Sequence, residues 1–118
     1  MRTLLLLAAA ATLMLGADNN VAGTWTITGD VQGYPVNETC TFTQDAGKLT
    51  GSCKGSEKTY DTTGTVEGQK VVFKHAGEYQ GDALTITFTG KLDDAGALKG
   101  TIDVDPMGVS GDFTAKKG

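Results

Sequence analysis

The chain has 118 residues, with fourteen acidic residues against ten basic ones, two cysteines, one histidine and one tryptophan. An acidic chain without a basic run carries no electrostatic footprint for nucleic acid or an anionic membrane surface. One histidine and no C-x-x-C spacing argue against a zinc site of the usual kind and against a redox dithiol, so neither metal nor cofactor is expected.

Met1-Arg2 supplies a positive charge, Leu4 to Leu15 is a nearly unbroken apolar run, and Gly16-Ala17 precedes the polar Asp18-Asn19-Asn20. That order predicts a secretory signal over 1–17 and a mature domain over 18–118, periplasmic or secreted. The apolar run is too short to cross a bilayer as a helix, so no membrane insertion is expected after cleavage. Removing Arg2 leaves nine basic residues against fourteen acidic ones, a net charge of −5. About 100 residues make a single domain, expected to be a monomer.

The mature segment is rich in glycine and threonine, and its apolar residues recur at every second position, the strand period. Trp25, Ile27 and Val31 alternate with Thr24, Thr26 and Thr28; Leu84, Ile86 and Phe88 alternate with Thr85, Thr87 and Thr89. Threonine suits the wet face of a half-buried antiparallel sheet. Strands are predicted at 22–30, 37–44, 49–54, 58–66, 70–75, 83–91, 97–104 and 108–116. Short turns at Asp45-Ala46-Gly47, Glu67-Gly68-Gln69 and Asp94-Ala95-Gly96 alternate with connections at 31–36, 54–57, 76–82 and 105–107. In an eight-stranded meander this alternation puts the short turns and both termini at one end and the longer connections at the other. The expected fold is all-β, an eight-stranded antiparallel up-and-down barrel with one disulfide.

That disulfide follows from counting. A hairpin turning at Asp45 to Lys48 sets Gln44 opposite Leu49, Thr43 opposite Thr50, Phe42 opposite Gly51 and Cys40 opposite Cys53. Directly opposed cysteines in an exported chain are expected to be bonded.

Candidate chemistry is sparse. His75 ends the fifth strand beside Glu78 and Tyr79, where an acid/base pair of His75 and Glu78 is conceivable. No G-x-S-x-G surrounds a serine, and Asp93-Asp94 reads as turn chemistry. Tyr34, Tyr79 and Met107 fall on the end with the longer connections, residue types common at recognition surfaces. Inward positions carry Gly29, Gly51, Gly64, Gly100 and Gly111, which either open a cavity or let strands coil tightly.

Gly23-Thr24-Trp25 at the start of the first strand, with Lys116-Lys117 ending the last, resembles the calycin pattern of lipocalins, avidins and small barrel-type protease inhibitors. The resemblance implies that Lys116 lies over Trp25 and closes the base, and that the fold is the small barrel of exported bacterial proteins. With a single tryptophan, a biotin site of the avidin type is not expected.

The expected function is a non-enzymatic exported binding module holding a small apolar ligand at a mouth formed by Tyr34, His75, Tyr79 and Met107. The alternatives are an inhibitor or adaptor of another exported protein, such as a secreted protease, and a barrel isomerase or cyclase using His75 and Glu78.

Overall fold

The computed structural model describes residues 20–118, so the expected signal segment lies outside the described residues. Eight strands follow in chain order: β1 (Gly23–Val31), β2 (Tyr34–Asp45), β3 (Lys48–Lys54), β4 (Thr59–Glu67), β5 (Lys70–Tyr79), β6 (Asp82–Leu92), β7 (Leu98–Asp105) and β8 (Val109–Lys117). Each pairs antiparallel with the next, and β8 returns to β1 from Trp25↔Lys117 to Asp30↔Asp112. The sheet is a closed up-and-down barrel; above Thr39 and His75, β2 and β5 each pair on one side alone, with β1 and β6.

Alternation does the sorting. In β1, Trp25 and Ile27 are buried while Thr24, Thr26 and Thr28 face solvent. On the wet face the threonines meet across strands, Thr43 Oγ1 lying 2.9 Å from Thr50 Oγ1 and Thr28 Oγ1 3.3 Å from Thr114 Oγ1. Closure makes the inner face the whole core, so each strand gives half its residues to it.

The connections differ from expectation at one end. Residues 31–36 and 76–82 are not long loops: β2 and β5 run almost to the top and join their neighbours through Gln32-Gly33 and Gln80-Gly81. Both residues of each pair have positive φ, as type I′ hairpins require. Pro35 and Gly77, which fall within the expected connections, sit inside strands, opposite Asp30 and Leu84. Segment length therefore does not distinguish the two ends. Side chains do.

The lower half is solid. Phe73 and Phe88 stack with centroids 4.7 Å apart, Phe113 packs edge-on to Phe88 at 5.2 Å, and Phe42 meets Phe73 at 5.0 Å. Glycines seat these rings: Gly51 pairs with Phe42, Gly64 with Phe73, and Gly100 with Phe113. A Cβ on Gly51 or Gly100 would overlap the carbonyl oxygen of Thr41 or Thr89 on the neighbouring strand. These inward glycines let strands approach closely and open no cavity.

Below the rings Trp25 is 2% exposed and donates its indole N–H to Val21 O at 2.9 Å. The cation above it is Lys117, with Nζ 5.9 Å from the ring, and not the expected Lys116. The cause is parity: Lys117 is the register partner of Trp25, whereas Lys116 pairs with outward Thr26. Cys40 and Cys53 are paired and disulfide-bonded as counted, both fully buried. A loop of this length adds about 3 kcal/mol by the chain-entropy account, and the bond points to a non-reducing compartment.

Candidate functional site

Above the phenylalanines the inner residues change character. Following β2 upward, the inward positions read Phe42, Cys40, Glu38, Val36 and Tyr34; following β5 they read Phe73, His75, Gly77 and Tyr79. These two strands are not neighbours in the sheet, yet two bridges join them across the lumen. Near the rim Tyr34 donates its hydroxyl hydrogen to Tyr79 Oη at 2.8 Å, the rings meeting edge-to-face at 5.3 Å. Deeper, His75 Nε2 lies 2.9 Å from Glu38 Oε1.

The two bridges divide the mouth. On the β6–β8 side lies a chamber of about 390 Å³ whose walls include Val31, Val36, Leu84, Ile86, Ile102 and Val104, with Tyr34, Tyr79 and Met107 towards its opening. On the β3–β4 side lies a more polar recess of about 370 Å³ lined by residues 55–58, Tyr60 and His75. Glu38 lines both. Thus Tyr34, Tyr79 and Met107 share one chamber, whereas His75 lines the other and is hydrogen-bonded to Glu38, which borders both.

His75 is held on every side. It is 4% exposed, its ring stacks on Tyr60 with centroids 5.2 Å apart, and it leans on Phe88 at 5.7 Å. Nδ1 faces the carbonyl oxygen of Ala76, so it must donate there, while Nε2 faces the Glu38 carboxylate. Two acceptors around one imidazole call for a proton between ring and carboxylate. Burial disfavours the imidazolium, but the hydrogen bond and charge of Glu38, with the Ala76 carbonyl, outweigh it and raise the His75 pKa above its ordinary 6.5. The result is a buried, hydrogen-bonded imidazole–carboxylate pair that is an ion pair whenever His75 is protonated.

Glu78 does not partner His75. It reaches outward to Lys58 at 2.6 Å, with both side chains more than half exposed. The acid/base pair expected of His75 and Glu78 is therefore replaced by His75 and Glu38. Glu38 was legible as a charged residue at an inward position of an alternating strand, two residues before Cys40.

Glu38, Cys40 and Cys53 bring a carboxylate and two sulfurs within 4.8 Å of one another. Both sulfurs are committed to the disulfide, which leaves one ligand, too few for a metal site. No family model matches the chain, and no curated protein matches it.

Proposed function

We propose that this protein is a non-enzymatic binding module of an exported kind, which takes a small apolar molecule into the chamber at the barrel mouth. One observation carries the reading: above the packed phenylalanines a space of about 390 Å³ is walled mainly by aliphatic side chains. That size lies within the usual range for small-molecule sites, and a few polar groups among apolar walls is their common composition. An eight-stranded barrel has room for one such ligand when its side chains do not fill it.

Tyr34, 57% exposed, and Met107, 48% exposed, are the exposed large hydrophobic residues among the described residues, and both border this chamber. Ligand entry accounts for their exposure without a protein partner. Fluorescence titration with N-phenyl-1-naphthylamine tests the reading. Saturable one-site binding is expected in the wild type, with loss in Val104→Trp, whose ring fills the chamber. An absence of saturable binding by the folded wild type sinks it.

A further inference from the structure

We infer that the molecule taken up is a lipophilic amine, an apolar body carrying one ammonium group that enters head-first and rests against Glu38. The inference rests on the apolar-module reading above and adds the charge of the ligand.

The residues lining the chamber include two carboxylates, Glu38 and Glu78, and no lysine, arginine or histidine. Their neutral polar groups are the hydroxyls of Tyr34 and Tyr79 and the amide of Gln32. The basic side chains near the mouth are placed elsewhere: His75 and Lys58 line the other recess, and Lys58 is already engaged by Glu78 at the surface. A carboxylic acid entering here would meet two carboxylates, and the basic partners of both, His75 and Lys58, lie outside the chamber lining.

Glu38 is the group positioned to read a head group. Its side chain is 14% exposed, and its Oε1 is anchored by His75 while its Oε2 makes no hydrogen bond among the described residues. Anchoring from the far side by a buried imidazole fixes the carboxylate without using its second oxygen. An ammonium group brings three donors, so it can bond Oε2 and retain others for water. Charge-assisted hydrogen bonds of this kind are about twice as strong as neutral ones. The electron-rich faces of Tyr34 and Tyr79 near the entrance add attraction for a cation passing between them. The aliphatic walls of Val31, Leu84 and Val104 receive the apolar body that trails behind it.

The test is displacement of N-phenyl-1-naphthylamine by three probes of equal chain length, octylammonium, 1-octanol and octanoate, at pH 7.5. The amine is expected to bind at least about tenfold tighter than octanoate, with the alcohol between them. Glu38→Gln should lower the amine to the level of the alcohol and leave the alcohol within about twofold, while Glu67→Gln, at the other end of the barrel, keeps the amine preference. Octanoate binding as tightly as octylammonium overturns the assignment yet leaves an apolar module standing; so does an amine preference that survives Glu38→Gln. If the reporter and all three probes fail to bind, both readings fall. The wild-type comparison needs no substitution and decides the matter even where Glu38→Gln does not fold.

Discussion

The two halves of this barrel share strands, hydrogen-bond ladders and an alternating pattern, yet they solve opposite problems. Below the level of Cys40 and Cys53 the lumen is closed by four phenylalanines, Trp25 and a girdle of glycines that draws the strands together. Above it the inner positions hold aliphatic residues that line the chamber, together with the His75–Glu38 pair and two tyrosines that span the lumen. A closed sheet fixes how many side chains point inward, but their volume decides whether the centre is core or chamber. The lower half supplies the rigidity against which the upper half can stay hollow.

The contrast is sharpest where one substitution is made in both halves. Leu98→Ala in the base removes a side chain that is 1% exposed and packed on all sides, and should cost about 3 kcal/mol or more by urea unfolding. Leu84→Ala at the mouth removes a side chain that borders the chamber, leaves no new enclosed void, and should cost about 1–2 kcal/mol. Equal losses would mean that the upper half is packed as tightly as the lower. Glycine gives a second pair. Gly100→Ala drives a Cβ into the Thr89 carbonyl and should cost about 3 kcal/mol, whereas at Gly77 the nearest atom is Ile86 Cδ1, the movable end of a side chain beside the chamber. Gly77→Ala should stay within about 1 kcal/mol of wild type.

The lower half was the more legible in sequence. Turn residues at 45–47 fixed the register that opposes Cys40 and Cys53 and seats Phe42 on Gly51, because in a hairpin each pairing follows from the last. The mouth depended on facts that no local pattern holds. Pro35 and Gly77 fall within segments read as connections, 31–36 and 76–82, but the tight hairpins at Gln32-Gly33 and Gln80-Gly81 pair them with Asp30 and Leu84. The link of Glu38 to His75 joins residues 37 apart on strands that do not pair, so no register argument reaches it. Glu78, nearer to His75 in sequence, has the opposite parity and points outward. One parity step likewise separates Lys117 from Lys116.

The buried pair gives the comparison a pH axis. The His75 pKa is raised in the folded protein, so its contribution is fully present below its unfolded value of about 6.5 and is lost as pH rises through the higher folded value. Wild-type urea midpoints should therefore fall on going upward from about pH 6.5. In Glu38→Gln the supporting carboxylate is gone and burial becomes the dominant influence, which lowers the folded pKa instead. That variant should lose stability as pH falls through the unfolded value, a slope of reversed sign. Matching slopes in the two proteins would remove His75 and Glu38 from the account of the mouth.

The smallest effects lie at the two extremities. Lys117→Met takes away the cation over Trp25 but keeps an apolar chain covering the indole, so about 0.5–1 kcal/mol is expected. Tyr34→Phe removes one exposed hydroxyl from the bridge to Tyr79 and keeps the edge-to-face ring contact, so unfolding should shift by no more than about 0.5 kcal/mol. Its consequence belongs to kinetics. With the hydroxyl bond gone, the two rings part more easily, and a ligand should enter and leave the chamber faster with little change in affinity. Stopped-flow measurement of N-phenyl-1-naphthylamine release reads this directly: an unchanged release rate in Tyr34→Phe would show that the hydroxyl bond between the tyrosines does not control passage.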